Sequence, residues 1–268
     1  MKILVPLKIP FAPEIAEGGV RLAKVMGAQL TFLNVADTRP FRGYIKVPEG
    51  VVEPLRREGE EILKEAVDLA RKEGVKADSV IVEGCPYEEI SKASKSADLA
   101  VLGVRRFSPE GTIGSVTKNV LVGSTTPIFV FKGRQEKFGD VLVAIDGSKY
   151  AEKAFEYALD YAKLMGLGSI SAIFVARSPD KVEVGKGVLK EATKISKERG
   201  INLDTHLKEG DPAREILKFS DEKDVIIMST TGKGTISRFF LGSVSSKVAA
   251  FSHCGVIIVP HRDIRGFK

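Results

Sequence analysis

Glu209-Gly-Asp-Pro-Ala-Arg-Glu-Ile216 repeats an earlier stretch of the same chain, Glu83-Gly-Cys-Pro-Tyr-Glu-Glu-Ile90. Other segments recur in the same order on both sides of this pair: residues 2–7 as 140–145, 23–27 as 162–166, 98–103 as 224–229, and Gly114-Ser-Val as Gly242-Ser-Val. Similarity that keeps its order indicates an internal duplication. The 268 residues are therefore predicted to form two copies of one unit, at residues 1–133 and 139–262.

Each copy alternates predicted strands with predicted helices. Continuous apolar runs such as 141–145 are typical of strands that are buried on both faces. Ser148 and Asp211 are candidate helix N-caps, and Gly200 is a candidate C-cap. In the second copy the predicted strands are 141–145, 170–176, 203–208, 225–229 and 256–259, and the later helices are 181–199, 212–219 and 242–251. This order predicts an α/β fold with two doubly wound, five-stranded parallel-sheet domains of the Rossmann-like type.

The first copy is 14 residues longer between its second and third strands, around residues 37–50. We interpret this stretch as a surface loop, and an ordered flap or contact surface is the alternative. The second helix of this copy is predicted from about residue 51 to residue 72.

One loop of the second copy carries glycine at spaced positions between a predicted strand and a predicted helix. It reads Ser229-Thr-Thr-Gly232, then nine residues, then Gly242-Ser243. Glycine allows a backbone to approach a phosphate closely, and the first N–H groups of a helix attract anions. The spacing fits neither G-x-x-x-x-G-K-[ST] nor G-x-G-x-x-G. We interpret the segment as a phosphate-binding loop, and ordinary turn chemistry is the alternative.

These motifs resemble those of the universal stress protein family, in which the loop reads G-x-x-G, nine residues, then G-[ST]. Gly232, Gly242 and Ser243 match that pattern, and Ser229 stands at its first glycine. The resemblance implies an adenine nucleotide alpha hydrolase-like fold that binds ATP or AMP, with Mg²⁺ accompanying the phosphates. It also implies a regulatory role in the stress response, in which nucleotide occupancy alters loop 230–241 and the choice of an unknown protein partner.

The resemblance assigns individual contacts in the second copy. An aspartate that ends the first strand contacts adenosine, which corresponds to Asp146, and a valine that ends the second strand packs on adenine, which corresponds to Val175. Lys233 and Arg238 are further candidates for phosphate contacts, and solvated loop cations are the alternative. The cofactor-binding residues predicted in this way are Ala144, Ile145, Asp146, Val175, Ser229, Thr230, Gly232, Gly242, Ser243 and Val244.

The first copy departs from the same pattern. Lys8 stands where Asp146 does, Arg106 replaces the second glycine, and seven residues separate Arg106 from Gly114. We predict that this copy does not bind ATP as the second copy does. A smaller anion held by Lys8, Arg105, Arg106 and the helix end at Gly114 is the alternative.

Composition excludes several other classes of function. Positive and negative side chains are interleaved at a net charge of +6, which favours solvated faces over a nucleic-acid surface. The chain has no apolar run of the about 18–20 residues that a membrane span needs, and no signal peptide is visible. Cys85 and Cys254 form no C-x-x-C motif, which fits a reducing cytoplasm.

No catalytic or metal-binding constellation is visible in the sequence. His206, His253 and His261 have no zinc-site spacing, and no G-x-S-x-G motif occurs. We therefore predict no catalytic residue, no metal site and at most slow ATP hydrolysis. A nucleotide-free scaffold of the same fold and a weak ATP hydrolase stay open as alternatives.

The resemblance also implies how the two copies associate. Single-domain members of the family dimerise through their fifth strands, so residues 128–131 and 256–259 are predicted to pair across an internal pseudo-twofold axis. One chain then mimics that dimer. We further expect two tandem chains to form a homodimer through another surface.

Overall fold

The computed structural model describes residues 1–260 except 9, 11, 42–48, 105–112, 134 and 233–240. The N-terminal half contains β1 (Lys2–Leu7), α1 (Pro13–Met26), β2 (Gln29–Asp37), α2 (Glu49–Lys72), β3 (Ala77–Gly84), α3 (Pro86–Ser94), β4 (Leu99–Gly103), α4 (Ser115–Gly123) and β5 (Ile128–Phe131). The C-terminal half contains β6 (Val141–Ala144), α5 (Lys149–Leu164), β7 (Ser169–Ala176), α6 (Val182–Glu198), β8 (Asn202–Glu209), α7 (Pro212–Leu217), β9 (Val225–Ser229), α8 (Ser243–Phe251) and β10 (Gly255–Val259).

The described strands form one sheet in the order β3-β2-β1-β4-β5-β10-β9-β6-β7-β8. Neighbouring strands are parallel within each half, whereas β5 and β10 are antiparallel, with Val130 opposite Val256. The predicted α/β fold class is therefore confirmed. The predicted pairing of the fifth strands is confirmed as well, and it joins the two five-stranded sheets into one.

The helix ends follow the signals that the sequence contains. The Ser148 hydroxyl oxygen accepts a hydrogen bond from the Ala151 N–H at 3.2 Å, and the Asp211 carboxylate accepts one from the Arg214 N–H at 2.9 Å. Gly200 has a φ of +74°, which only glycine adopts without strain after a helix. The two N-cap predictions are confirmed, whereas the C-cap of α6 is Arg199 and Gly200 directly follows it. Helix α7 ends at Leu217 rather than at the predicted residue 219.

Two apolar layers cover the sheet. Successive residues of a strand point to opposite faces, so Ile3 and Val5 enter one layer and Leu4 enters the other. The first layer is closed by α1, α2, α5 and α6, and the second by α3, α4, α7 and α8. Both faces are covered, and ligands of open α/β sheets bind beyond the carboxyl ends of the strands.

The segment that joins the halves packs against the C-terminal half. Phe138 is buried, and its carbonyl accepts a hydrogen bond from the Tyr161 hydroxyl at 2.9 Å. The Asp224 carboxylate accepts hydrogen bonds from the N–H groups of Gly139 and Asp140, each at 2.9 Å. These contacts fix the start of β6 beside the start of β9.

The longer stretch of the first half, residues 37–50, is only partly described. Strand β2 ends at Asp37, a short 3-10 helix spans Arg39–Phe41, and α2 begins at Glu49. Residues 42–48 lie outside the described residues. The choice between a surface loop and an ordered flap stays a prediction.

Candidate functional site

The predicted site residues lie at the carboxyl ends of β6, β7 and β9. Strand order reverses between β6 and β9, and a parallel sheet opens a crevice at such a reversal. Asp146 lies two residues beyond β6, Val175 is the penultimate residue of β7, and Ser229 ends β9. Three segments that are far apart in the chain therefore meet at one edge of the sheet.

The Asp146 carboxylate lies against the backbone of Gly232. Its Oδ1 accepts a hydrogen bond from the Ser148 N–H at 2.9 Å, which orients the carboxylate. A Cβ atom built on Gly232 would lie 3.4 Å from Asp146 Cγ and would overlap its Oδ2. Glycine at position 232 thus keeps space for the carboxylate beside the loop, which is a physical reason for this glycine.

The start of the loop is bonded to the first turn of α8. The Gly242 N–H donates to the Thr230 carbonyl at 2.8 Å, and the Thr230 N–H donates to the Val259 carbonyl at 3.0 Å. The buried Ser245 hydroxyl lies 2.8 Å from the Ser229 carbonyl and 3.2 Å from the Thr230 carbonyl. The start of the loop, Thr230, is therefore held between β10 and α8.

Ser245 was missed by the sequence reasoning. It contributes to this arrangement through its hydroxyl, while the motif emphasises Gly242 and Ser243. A usable signal existed, because Thr117 occupies the equivalent position of the first half and also carries a hydroxyl group. A hydroxyl at the same position in both copies indicates a role in hydrogen bonding between the helix and the preceding loop.

The amino end of α8 is not capped by a side chain. Gly242 is its N-cap, with φ −58° and ψ 150°, and no side-chain hydrogen bond to this cap exists among the described residues. The first N–H groups of a helix have no partner within the helix, and they carry partial positive charge. Ser243 is exposed and Val244 is half-buried, so this end of the helix can accept an anion.

The remaining predicted residues lie around these contacts. The Ser229 hydroxyl donates to the Thr231 carbonyl at 2.7 Å, so its proton is engaged at the start of the loop. Ile145 is buried, and its N–H donates to the Ile173 carbonyl at 3.0 Å. Three half-buried apolar residues border one core cluster beside the crevice: Ala144, Val175 and Val244. Lys233 and Arg238 lie outside the described residues.

The first half reproduces only part of this arrangement. Gly114 begins α4 with φ −53° and ψ 148°, nearly the geometry of Gly242. The residue just beyond β1 is Lys8, an exposed cation where the second half has the Asp146 carboxylate. Arg105 and Arg106 lie outside the described residues. The helix end is thus duplicated, while the carboxylate is not.

Replacing Ser245 by alanine is expected to lower the free energy of unfolding by about 1–3 kcal/mol, because the Ser229 carbonyl loses the buried hydroxyl donor, whereas the Thr230 carbonyl keeps the Gly242 N–H. Urea denaturation measures the change. Ser246→Ala is the control, since Ser246 is the half-buried neighbour on the same helix. Equal losses in the two variants would contradict a specific role for the Ser245 hydroxyl.

The described residues contain neither a metal-binding cluster nor a membrane-spanning helix. No group of three or more His, Cys, Asp or Glu side chains in the described ranges is placed to hold a metal ion. No helix within the same ranges is long and apolar enough to cross a membrane.

The chain is similar to known proteins in both halves. The model of the universal stress protein family matches residues 1–132 and 137–260. A universal stress protein of Methanocaldococcus jannaschii is 30% identical over 148 residues, which are 48% of this chain and 86% of that protein. One from Mycobacterium tuberculosis is 28% identical over 227 residues, which are 75% of this chain and 76% of that protein. A solved universal stress protein from Archaeoglobus fulgidus superimposes with a TM-score of 0.77 at 25% identity, covering 97% of this chain and 98% of the other.

Proposed function

The chain belongs to the universal stress protein family, and from this premise we propose that its C-terminal half binds an adenine nucleotide, ATP or AMP. The observation that carries the proposal is the contact between the Asp146 carboxylate and the Gly232 backbone at the strand-order reversal. A carboxylate at this edge can accept hydrogen bonds from ribose hydroxyls or from the exocyclic amine of adenine. Val175 and Ala144 supply apolar surface for the base.

The phosphates are assigned to the amino end of α8. Ser243 and Val244 contribute backbone N–H groups there, while Gly242, whose own N–H is engaged with the Thr230 carbonyl, and Gly232 bring the backbone close without a side chain. The uncapped helix end supports this assignment. When Mg²⁺ accompanies the nucleotide, it neutralises phosphate charge. No metal ligand from the protein is proposed.

The proposed role is regulatory. Nucleotide occupancy changes loop 230–241, and the changed loop selects a protein partner in the cytoplasm. The N-terminal half binds no ATP in this proposal, because Lys8 replaces the carboxylate acceptor. Two tandem chains form a homodimer, and the antiparallel contact of β5 and β10 takes the place of the contact between single-domain members.

Titration of ATP with Mg²⁺ into protein freed of bound nucleotide is expected to give one site per chain by calorimetry. Asp146→Ala is expected to lower the affinity about 10- to 100-fold, because a charged acceptor is lost. Lys8→Ala, the same truncation at the equivalent position of the first half, should leave the affinity unchanged. Two sites per chain would contradict the assignment of a single competent half.

A nucleotide-free scaffold is the second candidate function. It is favoured by Ser229, which replaces the first glycine of the family loop and whose hydroxyl is engaged with Thr231. No heat of binding at millimolar ATP and no nucleotide in the purified protein would support the scaffold. ADP release measured in the same samples tests the weak hydrolase, for which we propose no catalytic residue.

A further inference from the structure

A buried lysine of the N-terminal half is hydrogen-bonded to the carboxyl end of α8. Lys132 follows β5 directly, and its side chain is only 5% exposed. Its ammonium group donates to the Ala249 carbonyl and, at 3.1 Å, to the Ala250 carbonyl. These carbonyls belong to the last turn of α8, where helical carbonyls have no partner within the helix.

The lysine has no counterpart in the other half. Strand β10 occupies the same place in the second copy as β5 does in the first, and it is followed by Pro260, which has no cation to offer. Helix α4, the equivalent of α8, ends at Gly123. Of these two equivalent helices, α8 has the buried cation at its carboxyl end in the described part of the chain, although burial of an ammonium group is costly.

Helix α8 is thus fixed at both ends by different parts of the protein. Its first turn is bonded to the loop through Gly242 and Ser245, within the C-terminal half. Its last turn is bonded to Lys132, from the N-terminal half. The nine residues of α8 span only about 13 Å, so a shift at one end also moves the other.

We propose that Lys132 is a positioning residue of the nucleotide site, through which the N-terminal half sets the affinity of the C-terminal half for phosphate. The inference rests on the proposed function. A cation at the carboxyl end neutralises the partial negative charge of the last carbonyls and holds the helix in place. The partial positive charge at the amino end of α8 is then held in a fixed position, where it attracts the phosphates.

Lys132→Met is expected to weaken binding of ATP with Mg²⁺ about tenfold, the scale typical of coupling between sites. Lys132→Arg, which keeps the charge, should restore most of the affinity. Lys247→Met is the matched control, because Lys247 is an exposed lysine on the same helix. Circular dichroism and melting curves of each variant show whether it is folded.

A pH series separates positioning from a purely structural role. Burial lowers the pKa of Lys132 to about 8. Because this folded-state pKa lies below the unfolded value, the stability contribution of Lys132 rises as pH increases above about 8. Affinity is expected to fall over the same range, since the amine loses its charge, and it should not fall in Lys132→Arg. Cys254, whose thiol pKa is raised by burial, is the described titratable group that influences the pKa of Lys132. The pH series is therefore repeated with the Lys132 variants in a protein that also contains Cys254→Ala.

The outcomes distinguish this inference from the proposed function. No ATP binding by the wild-type protein would overturn both. Binding by the wild-type protein with unchanged affinity in folded Lys132→Met would overturn the inference alone. The inference is supported if, between pH 7 and pH 9, the ATP affinity of the wild-type protein falls while its stability rises, and if Lys132→Arg does not show these opposite changes.

Discussion

Replacing Gly242 by valine is expected to lower the affinity for ATP at least about 100-fold, or about 2.7 kcal/mol. A Cβ atom at this position would lie 3.2 Å from the Thr230 carbonyl oxygen and 3.5 Å from Thr231 Cα. Both neighbours are backbone atoms that cannot rotate away, so a branched side chain separates the loop from α8. The same side chain also covers the N–H groups that are assigned to the phosphates. Calorimetric titration with ATP and Mg²⁺ measures the loss.

Gly114→Val is the matched control for this experiment. Gly114 is the N-cap of α4 with almost the same backbone angles, and a Cβ atom there meets no atom of the described residues within 4 Å. This variant should bind ATP like the wild-type protein. If Gly114→Val loses affinity as strongly as Gly242→Val, the nucleotide site does not lie in the C-terminal half alone.

Phe129→Ala is expected to lower the free energy of unfolding by about 3–5 kcal/mol, because a fully buried ring leaves a cavity. Phe129 lies on β5 at the junction of the halves, with no exposed surface. Its ring centroid is 5.9 Å from that of Phe131 and 6.1 Å from that of Phe138, which belongs to the joining segment. It also fills the space that Gly255 leaves on β10. Chemical denaturation followed by circular dichroism measures the change.

Phe251→Ala is the control, since the Phe251 side chain at the end of α8 is 52% exposed. The same atoms are removed there, and the expected loss is less than about 1 kcal/mol. Similar losses in both variants would show that the contact of β5 with β10 adds little to stability. Loss of the single cooperative transition in Phe129→Ala alone would show that this contact couples the two halves.

The repeat, the strands and most helix ends could be predicted from the sequence because they depend on local or periodic signals. Buried parallel strands require continuous apolar runs, and the run at residues 225–229 became β9 with the same bounds. Ser148 and Asp211 cap their helices as predicted, because an N-cap needs only a side-chain oxygen near the next few N–H groups. Helix α7 was overestimated by two residues, since helix ends give weak signals.

The candidate site was only partly predictable. The glycine spacing and Asp146 indicated the segments that meet at the sheet edge. Ser245 was missed because it forms side-chain bonds to carbonyls that lie 15 and 16 residues earlier. Ser229 is among the predicted cofactor-binding residues, and its hydroxyl donates to the Thr231 carbonyl within its own loop. A sequence gives the identity of a hydroxyl group but not the direction in which it points.

By itself, the sequence determined the duplication, the α/β class and the loop that distinguishes the two halves, because these follow from order, periodicity and residue type. Only the tertiary structure decided that Gly232 makes room for Asp146 and that Lys132 reaches the carboxyl end of α8. Both contacts join residues more than 80 positions apart. The position of such partners depends on the packing of the whole sheet, which no local pattern specifies.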